Sequence, residues 1–355
     1  MPAYVDAVLA EAITMAENLH HPVMETVFLG GGTPSILPPQ LLDRLLDGLH
    51  RIFTIAPDAE FTTEANPGTL SEEWLRIAVA HGVNRLSMGM QAFQPELLYR
   101  LGRIHDFSMV QDAVAMARQE GINNISLDLM FGLPGQTMTM WQESLASALS
   151  LSPAHLSCYG LIPEEDTPLM ADLEAGRLSL PDEDLERAMY DEAIQVLADN
   201  GFVQYEIPNF AKPGYACRHN LGYWRQVPYL GLGASASSML PDQCSSYAYL
   251  RTTNPRNLQA YLQMVANGAW NQRDIECITP AEARFETLML GLRTMDGVHE
   301  DAFLHLHGLT LDQCFGSRLR SLKDRGLLEK AEGRWFLTRR GMDIQNSILV
   351  ELMDD

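Results

Sequence analysis

Apolar and polar positions follow two alternating patterns along the first two hundred residues, one typical of strands and one typical of helices. Short runs rich in β-branched and aromatic residues have the length of strands; they are 26–30 (TVFLG), 60–66 (EFTTEAN), 85–91 (RLSMGMQ), 125–133 (ISLDLMFGL) and 155–162 (HLSCYGLI). Between them, 41–53, 71–82, 109–121 and 141–151 repeat apolar residues at helical spacing. Strands that alternate with amphipathic helices of this length are typical of βαβ units. The pattern predicts a parallel sheet, either a barrel or a doubly wound sheet.

The same patterns predict elements on both sides of this segment. The N-terminus reads as an amphipathic helix whose apolar face comprises Tyr4, Val8, Leu9, Ala12, Met15 and Leu19. A helix at 182–200 precedes a strand-like run at 202–211. The pattern breaks around 268–280, which predicts domains at 1–270 and 271–355. In the second domain, helix 280–295, a helical stretch at 317–329 and a hairpin at 327–338 resemble a winged helix.

The net charge of the chain argues against binding to nucleic acid or to anionic membranes. The chain has 355 residues and a formal net charge of −21, from 46 acidic residues against 22 Arg and 3 Lys. Such a field repels nucleic acid and anionic membranes. Residues 318–340 are locally basic, but 280–355 hold 10 basic and 13 acidic residues, which favours a packing or lid module over a DNA-binding one.

The sequence gives no sign of a membrane or secretory segment. No run approaches 18 consecutive apolar residues, and acids occupy the N-terminus where a signal peptide carries positive charge. The five cysteines have no CxxC-type spacing, so we interpret all of them as small buried hydrophobes and predict no disulfide framework. These features predict a cytoplasmic protein.

Polar residues recur at the carboxyl ends of the predicted strands: Thr33, Glu64, Asn66, Gln91, Asp128 and Tyr159. Because loops converge at this end of a parallel sheet, they predict one ligand site on its rim. Three glycines at 30–32 follow the first strand. They indicate either a tight strand-to-helix turn or backbone N–H groups that a ligand approaches closely.

Several motifs taken together carry a family resemblance. The segments GGGTP, EANPGT, SMGMQAF, LGRIHD and DLMFGLPGQT resemble the radical S-adenosylmethionine (SAM) enzymes of the coproporphyrinogen dehydrogenase-like group. Within that group, CYGLIPEEDTPL, YEIPNFA and HNLGYW resemble the heme chaperones. The resemblance extends from about Ala3 to the C-terminus. It implies an α/β fold, an incomplete parallel βα barrel of radical SAM type with a small C-terminal winged-helix-like domain.

The resemblance assigns the rim residues to SAM. It implies backbone contacts from Gly31, Gly32 and Thr33 to the methionine end. The other implied contacts are Glu64, Gln91 and Arg103 to the polar groups, Asp128 to the ribose, and Tyr159 and Ile162 beside the adenine. The residue types suit these roles, since a carboxylate binds an ammonium group and a guanidinium binds a carboxylate.

A second set of residues is implied to bind heme. His219, Asn220, Tyr223 and Trp224 form an HNxxYW signature, with His219 as a candidate ligand of the heme iron. The absence of a helical or strand period around them indicates a loop. The alternative is a structural corner in which Tyr223 and Trp224 are buried and His219 is a core histidine.

The chain departs from the family at the iron–sulfur cluster. Radical SAM proteins hold a [4Fe–4S] cluster on a CxxxCxxC loop after the first barrel strand. No cysteine precedes Gly30, and Cys158 lies on the fifth predicted strand. We therefore expect the chain to begin after that loop and to lack the first barrel strand. We predict no catalytic residues and no reductive SAM cleavage by this chain, and leave open whether the protein is an enzyme.

The function implied is heme binding and delivery to heme-accepting respiratory proteins, with a homodimer left open. The alternative is an oxygen-independent coproporphyrinogen III oxidase, an enzyme of porphyrin biosynthesis, whose substrate carboxylates would favour a strongly basic cavity. The scarcity of Lys speaks against that cavity. A DNA-binding regulator is the third reading and depends on the C-terminal module alone.

Overall fold

A computed structural model describes residues 1–242 and 246–353. The chain divides into two compact units. The barrel unit comprises Leu19–Gln204 and Pro208–Ala216 with Met1, and the motif unit comprises Pro2–Asn18, Tyr205–Ile207 and the described residues from Cys217 onwards. This division differs from the boundary expected at 270/271, because the N-terminal helix packs with Leu258–Asn267 and the HNLGYW segment packs with Pro280–Gly291.

The helices and strands are as follows in chain order. The helices are α1 Pro2–Asn18, α2 Pro39–Ile52, α3 Glu72–Ala80, α4 Pro95–Arg100, α5 Phe107–Gln119, α6 Met138–Ser150, α7 Pro168–Glu174, α8 Glu183–Asp199, α9 Arg218–Trp224, α10 Leu258–Asn267, α11 Pro280–Gly291, α12 Glu300–His307, α13 Leu311–Asp324, α14 Arg339–Asp343 and α15 Gln345–Leu352. The strands are β1 Val23–Leu29, β2 Thr54–Ala65, β3 Arg85–Gln91, β4 Asn124–Phe131, β5 His155–Gly160, β6 Val203–Gln204, β7 Asn209–Ala211, β8 Ser237–Pro241, β9 Tyr249–Thr253, β10 Asp274–Ile278, β11 Val298–His299, β12 Leu328–Ala331 and β13 Arg334–Leu337.

The barrel unit is built on one seven-stranded sheet. Its strand order is β1-β2-β3-β4-β5-β7-β6, and the first five strands run parallel. The predicted parallel βα sheet is therefore confirmed. The strand-like run at 202–211 divides into β6 and β7, which pair antiparallel with each other and with β5.

The two faces of this sheet differ in chemistry. One face, with Phe61, Leu86, Leu127 and Leu156, joins the apolar core beneath the helices. The other face is polar, and register places its residues side by side: Thr62, Arg85 and Asn124 in one row, Glu64, Ser87, Ser126 and His155 in the next, then Gly89, Asp128 and Ser157. Parallel strands are usually apolar on both faces. The strict alternation here therefore marks a polar inner surface.

The motif unit holds two three-stranded sheets, ordered β10-β9-β8 and β11-β13-β12. The second sheet and helices α11–α15 share one apolar core and form the C-terminal module expected from the sequence. The β12–β13 hairpin turns at Glu332 (φ 52°) and Gly333 (φ 75°). Positive φ at both turn residues matches the twist of the two strands, so the predicted hairpin is confirmed.

Helix α1 carries a buried carboxylate into the motif unit. The amphipathic helix is confirmed, but only part of its predicted apolar face is buried, Leu19 lies beyond its end, and the buried face includes Glu11, which has no exposed surface. The Glu11 carboxylate accepts hydrogen bonds from the Gly233 N–H (2.8 Å), the Asn254 amide (2.7 Å), the Tyr261 hydroxyl (2.8 Å) and the Arg273 guanidinium (2.6 Å). A buried charge requires this degree of compensation.

The cysteines only partly follow the prediction. Cys158 and Cys217 are buried, whereas Cys314 is partly exposed and Cys277 is exposed. Cys277 lies on β10, where four of the five residues face solvent, so its interpretation as a buried hydrophobe was wrong. Cys244 lies outside the described residues. None of the helices in the described ranges is long and apolar enough to span a membrane.

The basic residues of the C-terminal module form ion pairs with neighbouring acids. The pairs are Arg320–Asp312, Arg325–Glu351, Lys330–Glu300, Arg334–Asp296 and Arg339–Asp343. Each acid offsets charge that a phosphate backbone would otherwise bind. Five of the eight Arg and Lys residues in 318–340 are thus paired with acids, and the packing role favoured by the sequence stays a prediction.

Candidate functional site

A cavity of about 190 Å³ opens at the carboxyl ends of the barrel-unit strands. Its lining residues are Gly32, Thr33, Glu64, Ala65, Asn66, Ser87, Gly89, Gln91, Arg103 and Asp128. The structure thus brings together Gly32, Thr33, Glu64, Gln91, Arg103 and Asp128 from the residues implied to bind SAM. Their roles in binding remain predictions.

The three glycines after β1 serve three different purposes. A Cβ on Gly30 would lie 2.6 Å from the Phe28 ring and 3.0 Å from the Glu64 carboxylate, so only glycine fits there. Gly31 has a left-handed backbone (φ 79°), and its N–H donates to Glu64 Oε2 at 3.3 Å. Gly32 faces open space at the cavity. The expected tight turn is therefore present, and backbone contact with a ligand at Gly32 stays a prediction.

Gln91 ends β3 in an unusual conformation. Its φ is 63°, although it is not glycine, and it is buried. A Cβ on Gly89 would lie 2.5 Å from the Gln91 amide nitrogen, so the side chain folds back across the glycine at an irregularity in the β3–β4 register. Left-handed backbone costs a residue with a Cβ about 1–2 kcal/mol. Such strain is concentrated at functional sites.

Two carboxylates face the cavity. Burial raises the pKa of Asp128, while Ser157, the Arg85 guanidinium and Ser87 act in the opposite direction. The Ser87 hydroxyl lies 3.4 Å from Asp128 Oδ1. Burial also raises the pKa of Glu64, the Gly31 N–H opposes this, and the charge of Asp128 adds to it.

The arrangement suits a ligand that carries positive charge. Two partly buried carboxylates stabilise a cation more strongly than exposed ones do. The exposed Arg103 side chain can bind a carboxylate on the same ligand. SAM carries an ammonium and a sulfonium together with a carboxylate, so the donor set fits it.

Three residues implied to contact SAM are outside the cavity lining. The Gly31 N–H is directed to Glu64, Tyr159 is 41% exposed, and Ile162 is 83% exposed. Sequence reasoning in turn missed Ser87 and Gly89. The period-two alternation along β3 was the available signal, since it places both on the face shared with Asp128.

The HNLGYW segment forms helix α9 instead of the expected loop. Helical spacing puts His219 and Tyr223 on one face, where their rings meet edge-on at 4.9 Å and 85°. His219 Nε2 lies 3.0 Å from Tyr223 Oη, and the Tyr223 ring contacts Tyr229 edge-on at 4.7 Å. Burial of part of the ring raises the pKa of the Tyr223 phenol.

This geometry does not match a structural corner. That alternative needs Tyr223 and Trp224 to be buried, but Tyr223 is 42% exposed and Trp224 is only half-buried. Asn220 and His219 are also half-buried. An imidazole and a phenol presented next to an aromatic ring suit the iron and the apolar surface of heme.

A polar chain holds the end of α9 against α11. Gln226 is buried in a left-handed conformation (φ 53°), and its side chain bonds to Thr287 and to Glu286 Oε2 (3.4 Å). The Thr287 hydroxyl also lies 2.8 Å from His307 Nε2. Burial lowers the pKa of His307 to about 4, so this ring is neutral near neutral pH.

The described residues do not supply ligands for an iron–sulfur cluster. Among residues 1–242 and 246–353, no group of three or more His, Cys, Asp or Glu side chains could hold a metal ion. The Cys158 thiol is buried, and burial raises its pKa further above the ordinary range. No step can be derived through a cluster from these residues.

Comparison with known proteins places this geometry in a family. The Radical SAM superfamily model matches residues 2–148, and the HemN C-terminal domain model matches residues 278–344. Heme chaperone HemW of Bacillus subtilis is 38% identical over 346 residues, which cover 97% of this chain and 89% of that protein. Heme chaperone HemW of Escherichia coli is 36% identical, covering 92% and 83%.

The chain belongs to the HemW family. Its fold also matches the solved structure of coproporphyrinogen III oxidase (HemN) from Escherichia coli, with a TM-score of 0.81 over 98% of this chain and 82% of that one. The two sequences are 23% identical, so this match shows the fold alone. The radical SAM fold with a C-terminal domain is thereby confirmed.

Proposed function

We propose that the protein binds heme through α9 and delivers it to heme-accepting proteins, a role in keeping with the name heme chaperone that its HemW relatives carry. The observation that carries this proposal is the contact between the half-buried His219 and the exposed Tyr223 on α9. Its imidazole nitrogen and phenol oxygen lie 3.0 Å apart, and both types of atom ligate heme iron in proteins. The half-buried Trp224 and Asn220 belong to the same signature.

The barrel cavity is proposed to bind SAM. Glu64 faces the ammonium group, Arg103 the carboxylate, and Asp128 the ribose hydroxyls. Gly32, Thr33 and Gln91 complete the lining. Bound SAM would bring its own positive charge beside the two carboxylates and offset the cost of burying them.

An oxygen-independent coproporphyrinogen III oxidase is the second candidate, and only the fold match favours it. Its substrate carries several carboxylates, which call for a cationic site. The cavity instead contains two carboxylates and one Arg. The heme-binding proposal is therefore better supported.

Heme-accepting respiratory proteins, a homodimer and a cytoplasmic location remain predictions from the sequence. The net charge of −21 favours acceptors with a basic face around their heme site. Such complementarity speeds encounter and weakens with salt.

The test is a titration of the protein with hemin, followed by Soret absorbance, and a transfer assay with apomyoglobin as a generic acceptor. We expect saturable binding of one heme per chain, and His219→Ala to lower the affinity by about tenfold or more. The matched control is His305→Ala, an exposed histidine on α12 outside the signature. Equal heme binding by all three proteins would contradict the proposal.

A further inference from the structure

The His219–Tyr223 contact raises the question of which atom binds the iron. His219 Nε2 lies 3.0 Å from Tyr223 Oη, so the ring nitrogen best placed to ligate a metal is already directed at the phenol. The His219 side chain is half-buried, whereas Tyr223 is 42% exposed. Of the two side chains, that of Tyr223 is therefore the more open to a ligand that arrives from solvent.

The Tyr223 ring is held from two sides. His219 packs edge-on against it at 85°, and Tyr229 packs edge-on at 84° with centroids 4.7 Å apart. Edge-to-face contacts of this kind fix the orientation of an aromatic ring. Tyr223 Oη is thus positioned before any ligand arrives.

We propose that Tyr223 Oη is the iron ligand for ferric heme and that His219 is its hydrogen-bonding partner. This assignment rests on the proposed heme-binding function. When the Fe–O bond forms, the phenol proton passes from Tyr223 Oη to His219 Nε2. The imidazolium then donates a hydrogen bond back to the phenolate oxygen. No electron is transferred, and the phenolate and imidazolium charges cancel.

The pairing has a consequence for specificity. A phenolate is a hard anionic ligand, which favours the more highly charged ferric ion over the ferrous ion. An imidazole ligand would serve both oxidation states. The site should therefore retain ferric heme more tightly than heme reduced with dithionite under anaerobic conditions.

The test compares Tyr223→Phe, His219→Ala and wild type by visible absorption and resonance Raman spectroscopy of the hemin complexes. Wild type is expected to show the phenolate-to-iron charge-transfer band and Raman modes that shift with ring-deuterated tyrosine. Tyr223→Phe should lose both signatures. His219→Ala should keep them while binding about 10- to 100-fold more weakly, as expected when a ligand loses its supporting hydrogen bond.

The control is Tyr247→Phe, which removes the same oxygen from a tyrosine of similar exposure (40%) outside α9. It should match wild type in every readout, and circular dichroism checks that each variant is folded. The ligand assignment is overturned if Tyr223→Phe keeps the charge-transfer band and the tyrosine Raman modes, or if the wild-type hemin complex lacks them. Either result leaves heme binding in place. Failure of wild type to bind hemin overturns the proposed function itself.

Discussion

At the scale of single residues, the barrel cavity is costly to maintain. Glu64 and Asp128 lie where burial disfavours their charged forms, and Gln91 holds a left-handed backbone. Residues in such positions trade stability for a prepared binding surface. The cavity should therefore be a weak point of the fold in the absence of ligand.

This weakness has a defined pH dependence. Because burial raises the pKa of Glu64 and Asp128 above their unfolded values, ionisation costs more in the folded state, and stability falls as pH rises through the raised pKa. Glu64→Gln should raise the free energy of unfolding near neutral pH by about 1 kcal/mol. Asp128→Asn should raise it by less, because the Arg85 guanidinium stabilises the charged form of Asp128. The gain should vanish as pH falls below the ordinary carboxyl pKa.

Thermal unfolding across this pH range measures the change in stability of the two variants, and calorimetric titration measures their affinity for SAM. Both variants should bind SAM more weakly than wild type. Glu73→Gln on the exposed face of α3 is the control and should stay within about 0.5 kcal/mol of wild type. Amide variants that are less stable near neutral pH would contradict this account of the cavity.

At the scale of elements, α9 depends on Gln226, two residues beyond its end. Seven residues that include an internal glycine form a marginal helix alone, because short helices do not repay their nucleation cost. Gln226 supplies the missing stability through its bonds to Thr287 and Glu286. The orientation of His219 and Tyr223 therefore depends on a side chain outside the signature.

Two substitutions at Gln226 separate the hydrogen bonds from the backbone strain. Gln226→Ala loses the buried bonds and keeps the strain, so it should lower the free energy of unfolding by about 1–3 kcal/mol. Gln226→Gly also loses the bonds, but glycine adopts the left-handed conformation without strain. Its free energy of unfolding should therefore be about 1 kcal/mol higher than that of Gln226→Ala. Denaturant unfolding gives both values, and hemin affinity should fall with them.

Glu332→Gly is the reference for strain alone, since Glu332 is exposed and has a similar φ of 52°. It should be neutral to stabilising. If Gln226→Gly proves less stable than Gln226→Ala, the strain argument fails.

Elements were predictable from sequence where local periodicity and packing agreed. The run RLSMGMQ alternates strictly, and β3 occupies the same residues, Arg85–Gln91. HNLGYW has no period of its own, so its helix depends on Thr287 and Glu286, which are about sixty residues away. The cavity followed from strand ends. The alternation along β3 places Ser87 on the polar face, but its neighbours Ser126 and Glu64 are known only from the strand register.

At the scale of the whole molecule, the order of residues along the chain does not match their grouping in space. Helix α1 opens the chain, yet it belongs to the unit that contains α9 and the C-terminal module. Sequence reasoning assigned it to the 1–270 domain because the pattern breaks only around 268–280, and the pattern does not show what Glu11 contacts. Its bonds are to Gly233, Asn254, Tyr261 and Arg273.

Removal of the Glu11 carboxylate should destabilise the motif unit. Glu11→Ala leaves Arg273, only 10% exposed at its side chain, without its partner, and breaking a buried pair in this way costs about 3–5 kcal/mol. The double variant Glu11→Leu with Arg273→Met should recover part of this loss, because neither charge is then buried. Hydrogen exchange should show that amides in α1 and α10 lose protection, whereas amides in β3 and β4 keep theirs. If Glu11→Ala is as stable as wild type, the prediction that the Glu11 carboxylate stabilises the motif unit is contradicted.

The Glu11 network also determines when α1 can fold during synthesis on the ribosome. Helix α1 is made long before its partner, because Arg273 is made 262 residues after Glu11. At elongation rates of about 5–20 residues per second, Glu11 is without Arg273 for roughly 13–52 s. During that time the apolar face of α1 and its unpaired carboxylate are exposed to other nascent chains and to chaperones. The nascent protein should therefore stay sensitive to protease at α1 until translation has passed residue 273.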